Sequence, residues 1–160
     1  MEWSKIPHEI GNVIERHHCV TPIAIGAIAR DLGLTVKKAT LEAGISGEIK
    51  KDSDGYVIRV NRHDVKERQR FTIAHEISHY LLHRDKIGDG IVDDILYRSN
   101  LSDTLEAQAN RLAADLIMPW HAIQERINMH PNLKDEAFYE QLAKDFEVST
   151  TAMKIRLGKL

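Results

Sequence analysis

The stretch Phe71-Thr-Ile-Ala-His-Glu-Ile-Ser-His-Tyr-Leu-Leu82 decides how this chain folds. Its only ionisable side chains are His75, Glu76, His79 and Tyr80. Phe71, Ile73, Ala74, Ile77, Leu81 and Leu82 surround them on nearly every face of a helix. A helix apolar all round is a buried one. Two histidines and a glutamate inside it need partners to offset their desolvation, and a metal ion is such a partner for the histidines.

The spacing supplies the geometry. Residues four apart lie one turn above each other, so the imidazoles of His75 and His79 can converge on one cation. Glu76 is rotated by about 100° from His75 and borders the ion without binding it, the place for a base in metal-assisted hydrolysis. A catalytic zinc takes three protein ligands. His83 continues the same face, but the helix rises ~12 Å from His75 to His83, too far for both rings to bind one ion. The downstream-histidine pattern is absent as well, with Leu82 where its glycine would stand and Asp85 where its histidine would fall. Glu106 is the better candidate. It opens Glu106-Ala-Gln-Ala-Asn110 on a helix whose Leu105, Ala109, Leu112, Ala113, Leu116 and Ile117 recur at helical spacing. Spacing also allows a capping box, with Asp103 as N-cap and Glu106 three residues on, and the two roles exclude each other.

Outward from this helix the elements follow local signals. A first helix is expected from Lys5 to about His17, started or interrupted near Pro7. A second follows Thr21-Pro22, with Thr21 as N-cap, and closes at Gly33. The turn signal Asp52-Ser-Asp-Gly55 predicts a hairpin with strands near 45–51 and 55–61. The central helix runs from Val65 to about His83, and residues 84–103 read as a long loop. Another helix starts near Asp103 and ends before Pro119; residues 120–160 hold two or three short helices, broken near Pro131 and Val148-Ser149. The order predicts an α+β fold, mainly helical, with a small sheet beside the central helix. One domain over 1–160 is expected, with a helical part at 1–44, the hairpin and metal-binding helices at 45–119, and a helical part at 120–160.

The bulk properties exclude several classes. At 160 residues, 42% hydrophobic and 29% charged, the chain has the composition of a folded globular domain. A formal net charge of -2 provides no global field for nucleic acid or an anionic membrane. One cysteine, Cys19, forms no internal disulfide and agrees with a reducing compartment; with His17 and His18 it reads as a surface cluster. No signal arrangement opens the sequence, and Cys19 to Ala29 is too short to span a bilayer. A cytoplasmic setting without membrane contact is expected.

The chain resembles the ImmA/IrrE family of metallo-endopeptidases over nearly its whole length. The likeness is carried by Arg68 to His83, Tyr97-Arg-Ser99, Glu106-x-x-Ala-Asn110 and Leu112 to Pro119, and upstream by Ile28 to Leu34 and Ile45-Ser-Gly47. The resemblance implies a zincin-like fold with one Zn2+ per chain held by His75, His79 and Glu106, which sets the capping box aside. It also implies that Asn110 orients a ligand by hydrogen bonding, that Glu76 is the catalytic base, and that the site is gluzincin-like. Ser78 stands where many members have glycine, and Gln108 where a second glutamate is common. The substrate it implies is a regulatory protein, typically a helix-turn-helix repressor of a mobile element or stress pathway, whose cleavage relieves repression of transcription. The alternative is a regulator or antitoxin-like module that binds a repressor, toxin or DNA through the same fold with little proteolysis.

Tyr80, His83, Tyr97, Arg98 and His121 are candidates for a second oxyanion donor beside the ion. As an edge strand, Tyr56 to Val60 can bind an extended substrate by main-chain pairing; the equal alternative is an ordinary hairpin packed on the core. Glu140 to Leu157 resembles a helix-turn-helix with Ser149 capping its second helix. Its basic residues Lys144, Lys154, Arg156 and Lys159 are offset by Glu140, Asp145 and Glu147, so DNA contact there is a minor reading beside a helical pair that completes the fold.

Overall fold

A computed structural model describes residues 2–160. Its helices are α1 (His8–Glu15), α2 (Ile25–Asp31), α3 (Lys66–Leu82), α4 (Asp103–Ile117), α5 (Trp120–Met129), α6 (Asp135–Phe146) and α7 (Thr150–Arg156). Its strands are β1 (Thr35–Ala39), β2 (Ile45–Asp52), β3 (Gly55–Asn61) and β4 (Ile91–Asp94). They form one mixed sheet in the order β1-β3-β2-β4. The fold is α+β, as the order of elements predicts.

The hairpin forms where the turn signal places it. Asp52 accepts from the Asp54 amide at 2.9 Å, and Gly55 adopts a φ of 133° that a side chain would resist. β3 is an interior strand, antiparallel to β2 and parallel to β1. It therefore has no free edge for a substrate, which corrects the expectation for Tyr56 to Val60. The edges belong to β1 and β4, two strands the sequence reading did not mark.

α2 begins three residues later than its Thr21-Pro22 signal, after a cis Thr21–Pro22 bond, and no side chain caps it. Tertiary contacts outweigh the local cue here. Ile23 is fully buried, and its carbonyl accepts from the Arg70 guanidinium at 2.8 Å instead of entering a helix. His18 also departs from the surface reading: it is buried and bonded to the Leu116 carbonyl, while Cys19 is exposed. α1 starts after Pro7 but ends at Glu15, two residues before the expected His17.

α3 is the axis of the molecule. Ala74 and Ile77 enter one core with Ile49, Ile58 and Val60 from the sheet and Leu112, Ala113 and Leu116 from α4. Arg70 ties α3 to the turn between α6 and α7, donating to the Glu147 and Phe146 carbonyls at 3.2 Å each. Ser149 caps α7 by accepting from the Ala152 amide. Lys154 pairs with Glu136, and Arg156 with Asp115 at 2.8 Å. The helical pair is thus bound into the fold, and two of its cations are engaged within the chain. Among the described residues, no helix is long and apolar enough to cross a membrane.

Candidate metal centre

Adjacent turns of α3 bring His75 Nε2 and His79 Nε2 to 3.0 Å, with both rings fully buried. α4 brings Glu106 to the same point: its carboxylate oxygens lie 2.8 Å from His79 Nε2 and 3.4 Å from His75 Nε2. The capping-box alternative does not form. Ser102 is the N-cap, accepting from the Leu105 amide, and Glu106 turns inward at 4% exposure. Glu76 is fully buried beside the pair, as the 100° rotation requires.

A carboxylate absent from the sequence reading completes the cluster. Asp93 of β4 is fully buried, with its oxygens 3.4 Å from His75 Nε2 and 3.6 Å from His79 Nε2. Donor atoms of His75, Glu76, His79 and Asp93 all lie within 4.8 Å of one another. Both oxygens of Glu76, Asp93 and Glu106 are buried without a protein hydrogen-bond donor. Three orphaned carboxylates facing two imidazole nitrogens form an oxygen and nitrogen donor set that suits a divalent cation.

The supporting hydrogen bonds fix the tautomers this requires. His75 Nδ1 lies 2.8 Å from Asn110 Oδ1, so Nδ1–H donates and the Nε2 lone pair faces the cluster. His79 reaches the same state through a relay. His83 Nε2–H donates to Gln108 Oε1 at 3.0 Å, which leaves His83 Nδ1 to accept from His79 Nδ1–H at 3.0 Å. The His83 ring thus orients a ligand candidate from outside the cluster. Gln108, the departure from the common glutamate, sets the relay's direction.

Burial alone would lower the pKa of His75, but Asp93 and Glu106 outweigh it and raise it to about 9. Burial, then the Asp93 charge, pushes Glu76 well above the usual carboxylate range. Burial also opposes the charge of Asp93, yet its close neighbours Glu76 and His75 hold its pKa low. A dication among these groups competes with protons for the same donor atoms, because its charge replaces theirs as the carboxylates' partner.

Among the five donor candidates, His83 is engaged with His79, and His121 bonds the His18 carbonyl in a separate pocket with Trp3 and Trp120. Tyr80 packs on Tyr56 and Arg84, and Arg98 pairs with Asp94 at 3.1 Å. Tyr97 lies against His75 with ring centroids 4.8 Å apart, its hydroxyl 3.2 Å from Thr72 Oγ1. Its φ of 56° is one that a bulky residue rarely adopts.

Gly47 lets β2 lie close to this helix. A Cβ there would meet Thr72 Cγ2 at 2.4 Å and the Arg59 carbonyl oxygen at 3.1 Å, with Glu76 Cγ at 3.9 Å. The motif Ile45-Ser-Gly47 is therefore a close-approach feature, a role that its sequence alone does not disclose.

Several known proteins are similar to this chain. Relatives include the radiation response metalloprotease IrrE of Deinococcus deserti, 39% identical over 68% of this chain and 38% of its own. The IrrE of Deinococcus radiodurans is 34% identical over 63% of this chain and 30% of its own. The metallopeptidase ImmA of Bacillus subtilis is 29% identical over 69% of this chain and 60% of its own. The chain thus spans well under half the length of the two Deinococcus relatives. A Mycobacterium tuberculosis transcriptional regulator shares the fold at a TM-score of 0.60 and 18% identity, over 97% of this chain and 48% of that one. The family model for the IrrE N-terminal-like domain matches residues 29–158, and the chain belongs to that peptidase family.

Proposed function

We propose that this chain is a zinc-dependent endopeptidase whose single ion is held by His75, His79 and Glu106, a gluzincin-like set, with Glu76 as the base. The observation that carries the reading is the convergence of two tautomer-fixed imidazoles and the Glu106 carboxylate on one point, with a buried, orphaned Glu76 beside it. A bound zinc supplies Lewis acidity, polarising the scissile carbonyl and stabilising negative charge on its oxygen. Glu76 accepts the proton of the attacking water and returns it to the leaving amine. The apolar wall around α3 excludes bulk water and strengthens each of these interactions. Tyr97, whose ring lies against His75, is the candidate we favour for a second hydrogen bond to the oxyanion.

The substrate we infer is an intracellular regulatory protein, a helix-turn-helix repressor. The support is the naming of relatives as a radiation response metalloprotease and as ImmA. Residues 1–160 act as one domain, in which α6 and α7 brace α3 through Arg70 and do not serve as a DNA reader.

The test is Glu76→Gln. Purified variant and wild type should each carry about one zinc per chain. Co-expression with a candidate helix-turn-helix repressor should yield fragments, read by mass, with the wild type only. Equal cleavage by Glu76→Gln, or cleavage that survives chelation, would overturn the assignment.

A further inference from the structure

β4 inverts the usual partition of side chains. Val92 is 44% exposed while Asp93, its neighbour, is fully buried. Burying a carboxylate without a donor is costly, and a four-residue edge strand gains nothing structural from doing so. The adjacent Asp94 does the structural work, accepting from the Leu96 and Arg98 amides at 2.8 and 3.0 Å. Asp93 is aimed inward by design of the pairing. It stands opposite Gly47 in the antiparallel ladder, and opposite residues point to the same face. A Cβ on Gly47 would run into Thr72 of α3, so that face is the one bearing the metal centre. The register shift between Ile45 and Gly47 seats Asp93 in this register.

The distances specify what the carboxylate does there. Four ligands bound at ~2.0 Å in a tetrahedron are ~3.3 Å from one another. The five separations among His75, His79, Glu106 and Asp93 given by the structure run from 2.8 to 3.6 Å. Each carboxylate meets His75 Nε2 with one oxygen and His79 Nε2 with the other, so both acids stand at ligand-to-ligand distance from both imidazoles and the set is supplied wholly by protein. A catalytic zinc keeps one position open, whereas a four-ligand protein set is closed.

We propose that Asp93 is a fourth protein ligand that closes the metal centre into a latent state, and that β4 must leave the edge of β2 to open it. This rests on the metal-centre reading above. β4 occupies the β2 edge as an added strand, the place an extended peptide would take by main-chain pairing. Withdrawal of β4 frees the ion's fourth position and the strand edge together. Latency thus lies in the fold and is relieved by whatever competes for that edge, the substrate strand first.

The experiment loads the full chain with Co(II), as wild type and Asp93→Asn, and follows the visible absorption during titration with azide. The closed wild type should leave its spectrum unchanged at azide concentrations that shift the Asp93→Asn spectrum. If the open form is about a tenth of the wild-type population, Asp93→Asn should also cleave the co-expressed repressor about tenfold faster. A wild type that binds one Co(II) per chain and takes azide as readily as Asp93→Asn overturns the Asp93 assignment and leaves the peptidase reading intact. A chain that binds no metal, and is unchanged by His75→Ala, overturns both. If Asp93→Asn does not fold, the wild-type titration decides alone: a spectrum that responds to azide refutes the closure.

Discussion

The relay from Gln108 through His83 to His79 makes a prediction about metal affinity, tested with His83→Leu. When an ion occupies His79 Nε2, the ring must carry its proton on Nδ1, and that buried N–H needs an acceptor. His83 Nδ1 is that acceptor at 3.0 Å. Leucine removes it without opening a large void. The metal-free protein can relax, since His79 is then free to adopt its other tautomer, so the penalty falls mainly on the bound state. A buried donor left without a partner costs about 1–3 kcal/mol, and lost support of a ligand histidine weakens metal binding about 10–100-fold. The dissociation constant for zinc, measured by competition with a chromogenic chelator, should rise by that factor. His83→Gln, which offers an amide oxygen, should recover part of it. Gln108→Ala should cost less, about 3–10-fold for one neutral hydrogen bond, and nothing further in the His83→Leu background. If Gln108→Ala costs the same factor in both backgrounds, the relay is not what orients His79. If His83→Leu binds zinc as tightly as wild type, the tautomer argument fails outright.

Two stability predictions rest on other features. Gly47→Ala should destabilise by about 1–3 kcal/mol in urea unfolding, the usual cost of overpacking, because its Cβ would stand 2.4 Å from Thr72 Cγ2. Thr72→Ser, which removes that methyl and keeps the hydroxyl, should return part of the loss; no recovery would place the strain at the Arg59 carbonyl instead. Arg111, bonded to Glu2 at 2.7 Å, lowers the pKa of Glu2 from 4.5 to about 2. The folded value lies below the unfolded one, so this pair's contribution is present above pH 4.5 and is lost as pH falls toward 2. Arg111 is largely exposed, which limits the effect to about 1 kcal/mol or less. Glu2→Gln should therefore lower the thermal midpoint slightly at pH 7, with the difference from wild type closing near pH 2; a constant difference across that range would refute the pairing.

How much of the fold the sequence discloses depends on how local its signals are. α3, α4 and the hairpin carry their own evidence: an apolar sheath, a 3.6-residue period, and Asp52 to Gly55 as a turn. Their observed bounds fall within a residue or two of the expected ones. β1 and the start of α2 are set by distant partners. β1 is held by parallel pairing with β3, and Ile23 is held out of helix by Arg70, 47 residues away. Neither partner leaves a periodic trace in the segment it controls.

The candidate site divides along the same line, and the division has a chemical reason. His75, Glu76 and His79 are legible because a helix converts sequence spacing directly into geometry. Glu106 is separated from them by a loop and a strand, so spacing leaves it balanced against a cap; the likeness to a family with Glu-x-x-Ala-Asn decides it. Asp93 has neither aid, for it lies in a short strand inside a segment that reads as loop, next to a second aspartate. The run Ile91-Val-Asp-Asp-Ile-Leu96 flanks its acidic pair with apolar residues, but Val92, Ile95 and Leu96 are exposed and only Ile91 and Asp93 are buried. Its alternation even points the wrong way, since burying Ile91 on one face buries Asp93 with it and leaves Val92 in solvent. A pattern that buries a charge and exposes a valine is unstable by itself. It is sustained if the charge meets an opposite one inside, and Asp93 faces the point where His75, His79 and Glu106 converge, with Glu76 beside it.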